Sequence, residues 1–158
     1  MTVITAEEQS YIDFDWFCVD EAGYIGHFTT AGYKMLPPSV AQSAEELKFV
    51  TEFFESEVSA GRGYFVDPEL AAEIPPPQCS SERYLRSFVA MADRGLFSFD
   101  IASHLERESQ YFRVALPNQP LEFDEIPKQV QQILSRTCLR NTLLENASRV
   151  LYENTLHI

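Results

Sequence analysis

The sequence predicts an α+β fold: an antiparallel sheet of four to six strands, with hairpins near 11–30 and 96–116, covered by two to four helices. Three observations carry this reading. Apolar residues alternate with period two through Tyr11–Val19 and again around Phe97 and Phe112, as in strands. Around Leu47 and Leu85 they recur instead at helical spacing, behind residues that cap helices. Gly and Pro punctuate the joints and no fixed-period repeat is visible, so 1–158 reads as one domain.

Taken in order, Ile12, Phe14, Trp16 and Cys18 alternate with Tyr11, Asp13, Asp15 and Phe17, which predicts a strand with one buried face. Asp20–Gly23 is turn chemistry and Tyr24–Thr30 is again β-rich, so the pair reads as an antiparallel hairpin. Ser43 is placed to cap a helix, with Glu46 three residues on to complete a capping box. Leu47, Val50, Phe54 and Val58 share its inner side, widened by Phe53, and Glu45, Glu52 and Glu55 fall on the other. Gly61 and Gly63 end it, and Tyr64–Val66 is an edge strand or a packed loop.

A helical turn near Glu69–Ala72 precedes Pro75–Pro77, a stiff surface connection. Ser80 or Ser81 then caps a helix whose Tyr84, Leu85, Phe88, Val89 and Ala92 form one apolar side, closed by Gly95. Phe97, Phe99 and Ile101, then Phe112, Val114 and Leu116, predict the second hairpin. Asp124 is placed to cap a helix with Pro127 in its first turn and Val130, Ile133 and Leu134 inward. Leu139, Leu143, Leu144, Ala147, Val150 and Leu151 favour a terminal helix over a last strand at Arg149–Tyr152.

With 45% hydrophobic and 13% aromatic residues the chain has material for a core, which argues against wholesale disorder. The formal charge of −12 repels phosphate backbones and anionic lipid heads, so neither nucleic acid nor a membrane surface is the expected partner. That charge is segregated: Met1–Glu73 carries a net −11 and Ile74–Ile158 a net −1. Such asymmetry suits a surface that attracts a basic protein, although a solvated acidic face explains it too. The start lacks a basic and then apolar leader pattern, and Cys18, Cys79 and Cys138 are odd in number and widely spaced. Reduced thiols in a cytoplasm are the expectation.

Phosphate loops, nucleophile elbows, zinc helices and calcium loops are missing as motifs. His27, His104 and His157 are too scattered for a metal centre, and neither a metal nor a cofactor is expected. Cys18 and His27 lie on successive strands, yet Cys18 reads as a small core residue beside Trp16. Asp13 and Asp15 share one strand face, as two carboxylates must to share a proton or a cation, and an exposed face accounts for them equally. Core packing is the default for Phe49, Phe53, Phe54, Phe88, Phe97, Phe99 and Phe112.

The stretch Asp15-Trp16-Phe17-Cys18-Val19-Asp20-Glu21-Ala22-Gly23-Tyr24-Ile25-Gly26-His27-Phe28-Thr29-Thr30-Ala31-Gly32 resembles the opening of small acidic bacterial immunity proteins of polymorphic toxin systems. Tyr111–Pro117, followed by Pro120-Leu121 and Ile126-Pro127, resembles a strand, Pro-Leu and helix passage of the same group. The resemblance implies a non-catalytic cytoplasmic protein that neutralises a cognate toxin by covering its active site. Combined with the charge map, the expected partner is a basic protein, met by Asp13, Asp15, Asp20, Glu21, Tyr24, Tyr33, Glu45, Glu52 and Glu55. Two alternatives stay open: an acidic hydrolase-like enzyme using Asp13, Asp15 or His27, and an interaction domain unrelated to toxins.

Overall fold

The structure, a computed structural model, describes residues 1–32, 36–102 and 110–152, and the backbone of Thr155–His157. The first hairpin forms as its alternation requires: β1 (Asp15–Val19) pairs antiparallel with β2 (Ile25–Thr29). Gly23 at φ +85 makes the turn. The strand begins four residues later than expected, because 9–12 are still bonded into the end of α1 (Ala6–Gln9). Thr5 and Glu8 cap that short helix reciprocally, a Thr-x-x-Glu pattern present in the sequence but not anticipated.

Five helices are described: α1, α2 (Pro38–Ala41), α3 (Ala44–Ser56), α4 (Glu82–Ala92) and α5 (Lys128–Leu134). Ser43 caps α3 by accepting from the Glu46 N–H. The Glu46 carboxylate does not close a capping box; it is held by Arg136, 90 residues on. Phe49 also departs from expectation, standing 39% exposed on the outer side of α3. At α5 it is Pro127 that occupies the cap position, since Asp124 is taken into a short turn over Phe123–Glu125.

Expected antiparallel throughout, the sheet is mixed. Its order is β3 (Tyr64–Val66), β5 (Gln110–Pro117), β4 (Phe97–Ile101), β2, β1, β6 (Thr137–Leu139) and β8 (Thr155–His157), with β7 (Arg149–Leu151) beside β3 on the outer edge of β5. The expected second hairpin, β4 with β5, is antiparallel, but β2–β4 and β1–β6 are parallel. The helices cause this: α3 and α4 lie between the two hairpins, so the chain crosses back before β4 and enters the sheet in the direction of β2. The eight strands among the described residues exceed the four to six expected, because the terminal stretch read as a helix supplies β6, β7 and β8. Asn141 at φ +56 breaks any helix there.

Both faces of β1 are buried, not one. Trp16 and Cys18 join Phe28, Phe97, Phe99, Ile101, Tyr111, Leu139 and Leu144 in one core. Phe17 and Ile25 join Val50, Phe53 and Phe54 of α3, and Val130 and Leu134 of α5, in a second. Phe88 and Ala92 of α4 close a third over Phe112, Val114 and Ala115. Cys18, Cys79 and Cys138 are free thiols. No described helix is long and apolar enough to cross a membrane.

Candidate functional site

Parallel pairing of β2 with β4 sets Asp15, Thr29 and Asp100 side by side, since Asp15 is opposite Thr29 and Thr29 opposite Asp100. One step inward on the same face, His27 lies beside Ser98. Side chains two apart on a strand share a face, so these polar groups all point toward the helices. There α3 and α4 leave an open groove of about 1100 Å³. Asp13, Asp15 and Asp100 lie on its floor, Leu47, Lys48, Thr51, Glu52 and Glu55 come from α3, and Arg83, Tyr84, Ser87 and Phe88 from α4.

The three floor carboxylates are held differently. Asp100 accepts from Thr29 Oγ1, Tyr84 Oη and the Ile101 N–H, each at 2.8 Å. Burial nonetheless outweighs those donors and lifts its carboxyl above the ordinary range. Asp13 accepts from the Ala31 N–H at 2.8 Å, and burial, aided by the charge of Asp15, raises it as well. Asp15 keeps 30% of its side chain exposed, and its Oδ2 lies 3.6 Å from His27 Nε2. His27 is fully buried, its Nδ1 2.7 Å from Ser98 Oγ and its Nε2 without a hydrogen-bond partner.

Five acidic side chains line the groove (Asp13, Asp15, Glu52, Glu55, Asp100) against two basic ones, Lys48 and Arg83. Lys48 is already 3.9 Å from Glu52. Phe14, Leu47 and Phe88 give the same groove apolar walls. Its chemistry therefore suits a donor-rich cationic group on an apolar stem. Ser87 of α4 puts an exposed hydroxyl on its wall, and no histidine lines the groove beside it. Ser98 and Cys18 are both fully buried, and burial drives the Cys18 thiol far up, away from the thiolate that reacts. Among the described residues no group of three or more His, Cys, Asp or Glu is placed to hold a metal ion.

The residues expected to meet a partner divide three ways. Asp13, Asp15, Glu52 and Glu55 come together in the groove. Asp20, Glu21 and Tyr24 sit at the turn, at the far end of the five-residue strand from Asp15. Asp20 is a correction: it is 5% exposed, because its carboxylate accepts from the backbone N–H groups of Ala22, Tyr24 and Leu144 and so pins the turn to the 140s segment. Tyr24 is half-buried against Phe97, while Glu21 stays exposed. Glu45 stays exposed but does not line the groove; the Thr2 N–H and hydroxyl donate to its carboxylate and hold it down to about 2. Tyr33 and His104 lie outside the described residues.

Sequence reasoning missed Asp100, Thr29, Ser98 and Tyr84. The alternation Phe97, Phe99, Ile101 already puts Ser98 and Asp100 on the opposite face, but only the parallel neighbour β2 brings them to Asp15 and His27. Comparison with protein families, curated proteins and solved structures returned no match.

Proposed function

We propose that the chain is a binding inhibitor of immunity type, which neutralises a basic protein, a toxin by the resemblance above, by docking it on the acidic groove between α3 and α4. One observation carries this: five carboxylates and two cations line an open, half-apolar groove whose α3 rim projects Glu52 and Glu55 to solvent. Carboxylates gathered without matching cations attract a positive surface from a distance and repel an acidic one, which supports selective, fast association. Inhibition then follows from occlusion of whatever the basic surface serves.

The test is capture of partner protein from the native strain on immobilised wild type and on a groove variant, Asp15→Lys with Glu52→Lys and Glu55→Lys. A basic protein held by the wild type, released by the variant and inactive while bound is the expected result. Equal retention on both surfaces, or a captured protein whose activity is unaffected, would overturn the proposal.

A hydrolase reading draws on one further observation, the neighbouring Asp13 and Asp15 with Asp13 held up by burial, a relation that sets an acid beside a base. It is the weaker of the two because the groove's lining brings no histidine to its exposed hydroxyl, Ser87.

A further inference from the structure

Resting on the docking reading above, we propose that the groove floor is the seat of one arginine side chain of the basic partner, its guanidinium held by Asp15 and Asp13. The carboxylate of Asp15 is the floor's unspent acceptor. Asp100 takes three donors and Asp13 takes one, whereas no hydrogen-bond donor among the described residues reaches Asp15.

An independent feature points to the same spot. Behind Asp15 the His27 ring is fully buried and fixed by Ser98, and its Nε2 is aimed at Asp15 Oδ2 from 3.6 Å without a hydrogen bond. A buried polar nitrogen left in that state costs free energy. With the proton on Nδ1, Nε2 is a bare acceptor facing acceptors; with a proton on Nε2, in the neutral ring or the imidazolium, its N–H lies within ion-pair range of the carboxylate but beyond hydrogen-bond range. In none of these states does the chain itself give Asp15 a hydrogen-bond donor. A donor-rich cation supplies one, and its charge offsets the acceptors crowded there.

Arginine fits better than lysine. Its planar fork presents parallel N–H donors to a carboxylate, and its weakly hydrated face stacks on aromatic rings. Phe14 is half-buried in the groove wall, and Leu47 and Phe88 line the path that the methylene stem would follow. The lining's excess of acidic over basic side chains supplies the long-range attraction.

The experiment titrates the 158-residue chain with acetyl-Gly-Arg-Gly-amide, with its neutral citrulline counterpart and with its lysine counterpart, followed by heteronuclear NMR. Saturable shifts at Asp15, Thr29 and the His27 ring are expected with the arginine peptide, with weaker binding for lysine and none for citrulline. Asp15→Asn should weaken the arginine peptide about tenfold while leaving the melting temperature in place, since the side chain is isosteric and makes no hydrogen bond to lose. Equal binding of citrulline or lysine, shifts confined to other surfaces, or unchanged affinity in Asp15→Asn would overturn the seat. If a captured partner still depends on Glu52 and Glu55 but not on Asp15, the arginine seat falls and the docking reading stands.

Discussion

Trp16 is the chain's one tryptophan, and removing it is the sharpest probe of the fold. It is fully buried, stacked on its cross-strand partner Phe28 at 4.4 Å, and Phe28 is stacked in turn on Phe99 at 4.9 Å. Tyr111 meets both Trp16 and Phe28 edge-on, and its hydroxyl accepts from Trp16 Nε1 at 3.2 Å. Trp16→Ala opens a cavity in this ladder and is expected to cost about 4 kcal/mol, in the middle of the usual range for a buried large aromatic. For a chain of this size that lowers the melting temperature by about 8–16 °C. Trp16→Phe keeps much of the stack and orphans only the Tyr111 hydroxyl, at about 1–2 kcal/mol. A cycle combining Trp16→Phe with Tyr111→Phe should return a coupling of about 1 kcal/mol. Thermal and urea unfolding read the energies, and Trp16 fluorescence reports its own burial. Unchanged melting of Trp16→Ala, or native emission typical of a solvated indole, would refute the ladder.

Three further outcomes are expected. Asp100→Asn keeps Oδ1 for Thr29 and Ile101, and Tyr84 turns its hydroxyl to accept from the new amide. Because burial raises the Asp100 pKa, the native state binds more protons than the unfolded one between the ordinary and raised values. The wild type therefore loses stability as pH rises through that window; Asp100→Asn should be the more stable above it and the two should converge below, and equal pH profiles in unfolding titrations would contradict this. Gly95→Ala should destabilise by about 1–3 kcal/mol or more, because φ is +100 and the new Cβ would meet the Leu121 backbone nitrogen at 2.6 Å; a melting curve within error of wild type would contradict it. In mass-detected alkylation without reductant, Cys79 and Cys138 should label on the native protein and Cys18 only after unfolding; labelling of native Cys18, or failure of any pair to label when unfolded, would contradict the thiol assignment.

The legible parts of the fold were those encoded locally. Trp16, Cys18, Phe28, Phe97 and Phe99 alternate and so mark their strands, and Ser43 caps α3 where its residue type and position say it should. The 137–152 stretch was misread because Leu139, Leu144 and Val150 fit a helical period, and their burial comes from sheet partners far away in the chain. Local spacing cannot register such partners. The same limit governs the groove. Asp13 and Asp15 announced themselves as face-sharing carboxylates, and Glu52 and Glu55 as the outer side of a helix, but Asp100 reaches them only through parallel pairing across the long crossover that carries α3 and α4. Asp20 carries the same charge as the groove residues, and only its backbone donors, Ala22, Tyr24 and Leu144, reveal it as structural.

The most direct measurement is the association rate of the captured basic partner against ionic strength, for wild type, for Glu52→Lys with Glu55→Lys, and for the turn control Glu21→Lys. Screening reaches about 10 Å at 0.1 M salt, so long-range attraction to the groove is the part that salt removes. The double variant should associate more slowly at low salt and with a flatter salt dependence, while Glu21→Lys, at the far end of β1, should track wild type. Identical rates and slopes for the double variant and wild type, or a loss confined to Glu21→Lys, would contradict docking at the groove.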